Sequence, residues 1–217
     1  MNTVKLVSLN VGRPRLVMWR GEPVSTGIFK EPILGRAMLR TLNLDGDRQA
    51  DLTVHGGRDK AVYAYPAGHY PWWRTELPEM TLPYGMFGEN FTTEGLNEST
   101  VNIGDEFRVA AAKVMVVQPR MPCYKLGVRF GRADIIKRFY QSRRTGFYLR
   151  VLEEGEVGAG DILELVKRGA GEVTIADINR LYFWDKDDLS MLRRAVQIEV
   201  LPEHLKNHFH ERLAELE

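Results

Sequence analysis

The chain has 217 residues, 44% of them hydrophobic, with 30 basic against 29 acidic side chains and a formal charge of +1. That length allows one good-sized core or a core with a small appendage, and so even a charge balance gives no general attraction to nucleic acid or acidic membranes. A single cysteine excludes an intramolecular disulfide framework and fits a reducing compartment.

The opening "TVKLVSLNVG" is rich in β formers and stops at Gly12-Arg13-Pro14. It lacks the apolar core and small-residue cleavage site of a signal peptide. No apolar run approaches the roughly 20 residues of a bilayer span, so a soluble, cytoplasmic protein is expected. "AMLRTLNLDGDRQADLTVHGG" carries an Asp45-Gly46 turn and a Gly56-Gly57 break, and "VNIGDEFRVAAAKVMVVQP" has a Gly104-Asp105 turn followed by alternating strand residues. "GFYLRVLEEGEVGAGDILELV" repeats the pattern around Gly160-Asp161. Short strands with regular Gly/Asp punctuation predict a mainly β fold, an antiparallel sandwich or barrel, rather than a βαβ sheet. Two helices interrupt it: the aromatic "YPAGHYPWWRTEL", and "RADIIKRFYQSRRTG" with Ile135, Ile136, Phe139 and Tyr140 at helical spacing. The reading divides the chain at the glycine-rich "KRGAGE". Residues 1–166 form the β domain, and residues 167–217 form three short amphipathic helices, with Thr174 and Asp187 as N-caps and Pro202 in the first turn of the last. So slight a bundle is expected to pack on the barrel or on a second subunit.

The chemistry concentrates in "QPRMPCYKLGVRFGR", residues 118–132, where Cys123 stands among Pro119, Pro122, Arg120, Lys125 and Arg129. Three readings compete. Cysteine is among the most buried residue types and can be a small core residue, although prolines stiffen this backbone and converging cations favour a thiolate. It can be a nucleophile with His55 or His69 as base, without the local signature of a cysteine hydrolase. It can be the one protein ligand to a metal whose other ligands come from an anionic cofactor, since a zinc site would need several Cys or His. The histidines of "HLKNHFH" (His204, His208, His210) read as a solvated helix face. "GGRDK" brings Arg58 and Lys60 beside paired glycines that admit an anion to backbone N–H groups. "FGENFTTEGL" sets Glu89 and Asn90 in a glycine-flanked turn, as a cap or as ligand contacts. Arg150 lies on an apolar strand and needs a partner if it points inward.

In this order, "GGRDKAVYAY", "FGENFTTEGL", "VNIGDEFRV", "QPRMPCYKL", "GFYLRVLEEGEVGAGD" and the helical tail resemble the MOSC family, related to the C-terminal part of molybdenum-cofactor sulfurases, in its YiiM-type branch. The resemblance implies a MOSC-like β-barrel followed by the three-helix domain and binding of molybdenum cofactor (molybdopterin), with Cys123 ligating molybdenum. It makes Arg58, Lys60, Arg120, Lys125 and Arg150 candidate cofactor contacts, and His55, Glu89 and Asn90 candidates nearer the substrate. Relatives are associated with resistance to N-hydroxylated base analogues such as 6-hydroxylaminopurine. The implied activity is therefore an oxidoreductase that reduces N–OH to N–H, with Glu89 or His55 supplying protons. No flavin, nicotinamide or iron–sulfur signature is found, so a separate reductase is expected to supply electrons. A cofactor or sulfur carrier with Cys123 as persulfide is the alternative. Nucleic acid is disfavoured by the acidic "ERLAELE" end, and a homodimer is expected from the apolar "HYPWWRTEL" and tail.

Overall fold

A computed structural model describes residues 3–50 and 56–217. The strands are β1 (Lys5–Val11), β2 (Arg15–Trp19), β3 (Glu22–Thr26), β4 (Glu31–Pro32), β5 (Arg36–Leu39), β6 (Val62–Pro66), β7 (Phe91–Glu94), β8 (Glu106–Val109), β9 (Ala112–Pro119), β10 (Phe147–Glu153), β11 (Gly155–Gly158) and β12 (Leu163–Lys167). The helices are α1 (Tyr70–Glu76), α2 (Tyr124–Phe130), α3 (Ile135–Ser142), α4 (Ile175–Phe183), α5 (Leu189–Val196) and α6 (Glu203–Leu216).

Eight strands form one curled sheet in the order β12-β8-β9-β10-β6-β7-β1-β4. The sheet bends round until β1 meets the segment leading into β12: Leu6 N–H donates to Asp161 C=O at 2.8 Å and Leu163 N–H to Val4 C=O at 2.9 Å. Closure satisfies edges that would otherwise be left open. Strand β10 shows the logic, with Phe147, Leu149 and Val151 facing the core while Tyr148, Arg150 and Leu152 alternate away from it. Each such Phe, Leu or Val contributes about 1.5–3 kcal/mol through burial. The antiparallel expectation fails at one place, because β6 and β7 pair in parallel. A parallel neighbour requires a crossover, and the aromatic helix α1 supplies it.

Helix α2 is a third helix of the β domain, beyond the two that the sequence pattern predicts. Its signal is modest, with buried Leu126 and Phe130 four residues apart and Gly131 left-handed at φ 65° as the C-cap. Helix α3 buries Ile135, Phe139 and Ser142 and ends at Arg143, which takes the left-handed conformation at φ 57°. Gly146 follows at φ 64°, where a Cβ would stand 2.4 Å from Ala64 O.

The three C-terminal helices pack on the barrel: Ile175, Ile178, Leu181, Leu192, Leu205 and Phe209 belong to the same apolar cluster as the strand residues Phe91, Phe107, Val116 and Phe147. Thr174 caps α4 in a capping box with Asp177. The cap of α5 is Asp188, which accepts from Met191 N–H, whereas Asp187 accepts from Arg212 Nε at 2.9 Å. A second cluster, Tyr65, Tyr70, Trp73, Phe87, Phe130 and Phe139, joins α1, α2 and α3 behind the sheet.

Candidate active site

The pocket of interest, about 580 Å³ including its open mouth, is lined by Thr26, Gly27, Ile28 and Lys30, by Arg48–Ala50, by Lys60, Tyr63, Gly88 and Asn90, and by Arg120, Cys123, Lys125 and Tyr148. Its rim is tight because Gly27 has no side chain, where a Cβ would lie 2.3 Å from Arg48 O. Cys123 caps the N-terminus of α2 in extended conformation (φ −120°, ψ 173°), placed there by Pro119 at the end of β9 and by Pro122. The thiol is half-buried.

Among the described residues, the lining holds five cations (Lys30, Arg48, Lys60, Arg120 and Lys125) and no carboxylate. Lys30 is neutralised: its ammonium meets the buried Asp47 carboxylate at 2.5 Å. Burial pushes Lys30 down from the ordinary lysine value and Asp47 acts against that shift. Arg120 is 5% exposed and Lys125 is 8% exposed. The Arg120 guanidinium lies 5.2 Å from the Tyr63 ring centroid and 5.3 Å from that of Phe139, and its Nη1 is buried without an acceptor among the described residues. Lys125 has neither an ion pair nor a side-chain hydrogen bond among them. Burying cations whose hydrogen bonds are incomplete is costly, and a bound anion would reduce the cost. Burial also lowers Lys60 from its ordinary value, against the opposing influence of Asp59 and Cys123. Tyr63 and Tyr148, with ring centroids 5.4 Å apart, give the pocket an aromatic wall.

Of the residues anticipated from sequence, Cys123, Lys60, Arg120, Lys125 and Asn90 meet at this pocket. The side chain of Asn90 is committed to structure. It donates to Asp47 Oδ2 at 3.0 Å and Asn10 O at 3.3 Å, and accepts from Tyr63 N–H at 3.2 Å. Glu89 is wholly buried and is not part of the lining. It accepts from Tyr70 Oη at 2.5 Å, Gly85 N–H at 2.8 Å, Phe87 N–H at 3.1 Å and Thr92 Oγ1 at 3.0 Å. These bonds tie Glu89 to the Gly85–Gly88 turn. Burial raises its pKa.

Arg150 does not face an anion pocket either, because its partner is Asp59 at 2.6 Å. It pins the 3-10 turn Arg58–Lys60 from below and thereby sets Lys60, while Arg58 is exposed outside the lining. His69 bonds to the Glu98 carboxylate at 2.8 Å and lies outside the lining, so it is no base for Cys123. His55 lies outside the described residues. Sequence reasoning missed Lys30, Asp47, Tyr63 and Tyr148, which are scattered along the chain and carry no local motif. The described residues contain no group of three His, Cys, Asp or Glu able to hold a metal. A cysteine sulfur beside buried cations and aromatic rings fits a metal that arrives within an anionic, planar cofactor.

Comparison with known proteins identifies the family. The MOSC domain family matches residues 51–164, and the YiiM-like, 3-alpha helix domain matches residues 173–216. The uncharacterized protein YflK of Bacillus subtilis is 43% identical over 204 residues, 94% of this chain and 92% of that one. A Gibberella moniliformis protein named Reductase is 30% identical over 196 residues, 89% of this chain but 35% of its own length. The crystal structure of YiiM from Geobacillus stearothermophilus superposes with a TM-score of 0.82 at 33% identity, covering 97% of this chain and 99% of that one. The chain therefore belongs to the MOSC family, in the branch that carries a C-terminal YiiM-like three-helix domain.

Proposed function

We propose that this chain is a molybdenum-cofactor-dependent reductase of N-hydroxylated compounds such as 6-hydroxylaminopurine. The observation that carries the reading is the buried Arg120 Nη1, without an acceptor among the described residues, in the same pocket as Cys123. Arg120, Lys125 and Lys60 would hold the anionic cofactor, and Cys123 would be its protein thiolate ligand. When bound, the cofactor supplies the two-electron redox chemistry.

The net reaction is R–NH–OH + 2 e⁻ + 2 H⁺ → R–NH₂ + H₂O. The chain's part is to bind, orient and deliver protons. The rings of Tyr63 and Tyr148 offer a face for a planar base. Burial raises both phenols above their ordinary pKa, so they stay protonated, with the Tyr63 hydroxyl donating to Thr145 C=O at 2.7 Å. Lys60, acidified by burial, holds a proton at Nζ for the departing hydroxyl. This replaces the role first given to Glu89. A reductive activity is supported by the fungal relative named Reductase. Since this chain matches 35% of that protein, a separate reductase is the proposed electron donor.

The test is molybdenum and pterin content of protein from a cofactor-producing host, wild type beside Cys123→Ala, followed by reduction of 6-hydroxylaminopurine. About one molybdenum per chain, lost in the variant together with reduction, supports the reading. Absence of molybdenum in both would leave a persulfide or cofactor carrier as the better account.

A further inference from the structure

Helix α4 of the C-terminal domain turns three side chains onto one short stretch of the barrel. Asn179 Nδ2 donates to Thr145 Oγ1 at 2.8 Å. The Phe183 ring meets that of Tyr140 edge-on at 4.5 Å. Trp184, the C-cap residue, receives the Arg143 guanidinium at 4.6 Å. Asn179 and Phe183 are four residues apart and so share one face of the helix.

The receiving stretch is tied directly to the pocket. Tyr140 Oη donates to Pro122 C=O at 3.3 Å, one residue before Cys123. Thr145 C=O accepts from Tyr63 Oη at 2.7 Å, and Gly146 C=O accepts from Arg120 N–H at 3.3 Å. Tyr63, Arg120 and Cys123 all line the pocket. Two features distinguish this contact from packing alone. Asn179 is 2% exposed and its Oδ1 has no donor among the described residues, a burial that an apolar side chain would avoid. Arg143, a residue with a Cβ, is held at φ 57°, which persists where surroundings over-determine the backbone.

We infer that α4 is a two-point clamp on the pocket: Phe183, through Tyr140, positions the loop that carries Cys123, and Asn179, through Thr145, positions the strand end that holds Arg120 and Tyr63. Both are positioning residues of the site, and the three-helix domain is part of it. The inference concerns thiol and backbone placement alone, so it stands or falls independently of the redox reading.

The test uses the protein from a host that makes no molybdenum cofactor, so that no cofactor covers the thiol, with iodoacetamide as the probe of Cys123. Tyr140→Phe keeps the ring and removes only the bond to Pro122; Phe183→Ala removes the ring beneath it. Each is expected to raise the alkylation rate at least fivefold, with the double variant no faster than the faster single one, because both act through the same contact. Phe183→Tyr, which keeps an aromatic ring, should stay within twofold of the parent. Phe209→Leu, which loosens the helical core away from α4's contact face, should do likewise. For the second point, Asn179→Ala should speed amide exchange at Arg120 at least tenfold. Alkylation within twofold of the parent in Tyr140→Phe and Phe183→Ala, an equal rise in Phe209→Leu, or unchanged exchange at Arg120 would overturn the clamp.

Discussion

The Arg150 guanidinium holds the Asp59 carboxylate at 2.6 Å, and this pair fixes the turn from which Lys60 reaches the pocket. Gln118 adds a bond from Nε2 to Asp59 O at 3.0 Å. Arg150→Gln should therefore weaken binding of a phosphate-bearing ligand without touching it, by about tenfold or about 1.4 kcal/mol, as read by titration calorimetry. Asp59→Asn should match it. A much larger loss in Arg150→Gln alone would mean that Arg150 contacts the ligand itself.

Arg120 is a cation kept for binding rather than for stability. Tyr148 takes one side-chain hydrogen bond from it, but its Nη1 has no acceptor among the described residues, so Arg120→Met removes a buried charge whose hydrogen bonding is incomplete in the ligand-free protein. Thermal unfolding of that form should move upward or stay put. Cofactor loading should fall by at least a hundredfold. A fall in stability of several kcal/mol would show that Arg120 is structural.

Lys60 sets a pH window. Its pKa is lowered by burial, and a bound anion favours the ammonium, so binding raises the pKa again. Anion affinity is thus complete below the depressed value of the free protein. It declines as pH rises from there toward the ordinary lysine value. Lys60→Arg should flatten the decline because the guanidinium keeps its charge, while Lys60→Met should be weak at every pH. An identical alkaline decline in Lys60→Arg would assign the titration to another group.

Glu89→Gln separates a fold role from a chemical one. The carboxylate serves four donors (Tyr70, Gly85, Phe87 and Thr92), and an amide cannot accept them all. Urea unfolding should show a loss of about 2–4 kcal/mol. Reduction of an N-hydroxylated purine by the surviving folded fraction should stay within twofold.

Gly146 combines a left-handed backbone with a 2.4 Å approach of its missing Cβ to Ala64 O. Gly146→Ala is expected to cost about 2–4 kcal/mol and to disturb the neighbouring Arg120 N–H bond. Denaturation and amide exchange at Arg120 measure the two effects separately.

Much of this was legible in the linear order of residues. Strand alternation in "GFYLRVL", the Thr174–Asp177 capping box and the family blocks are local patterns, because side-chain periodicity and capping act over a few residues. Cys123, Lys60, Arg120 and Lys125 were visible because glycines, prolines and cations cluster around them. The ambiguous positions were those whose partners are distant in sequence. Arg150 needed a partner, and Asp59, remote along the chain, proved to be it. Glu89 and Asn90 sat in a turn where cap and ligand roles look alike, and their bonds to Tyr70 and Asp47 decide for structure.

By itself, the sequence determined the family, the β-rich fold with its helical tail, and the thiol at the centre of a basic segment. Only the tertiary structure decided which charges are satisfied. Lys30 is silenced by Asp47, Arg150 by Asp59 and Glu89 by four donors, leaving Arg120 and Lys125 for a ligand. It also decided that the tail grips the pocket wall through Asn179 and Phe183. The physical reason is that a buried polar group takes its meaning from its partners in space, and folding brings those partners together from across the chain.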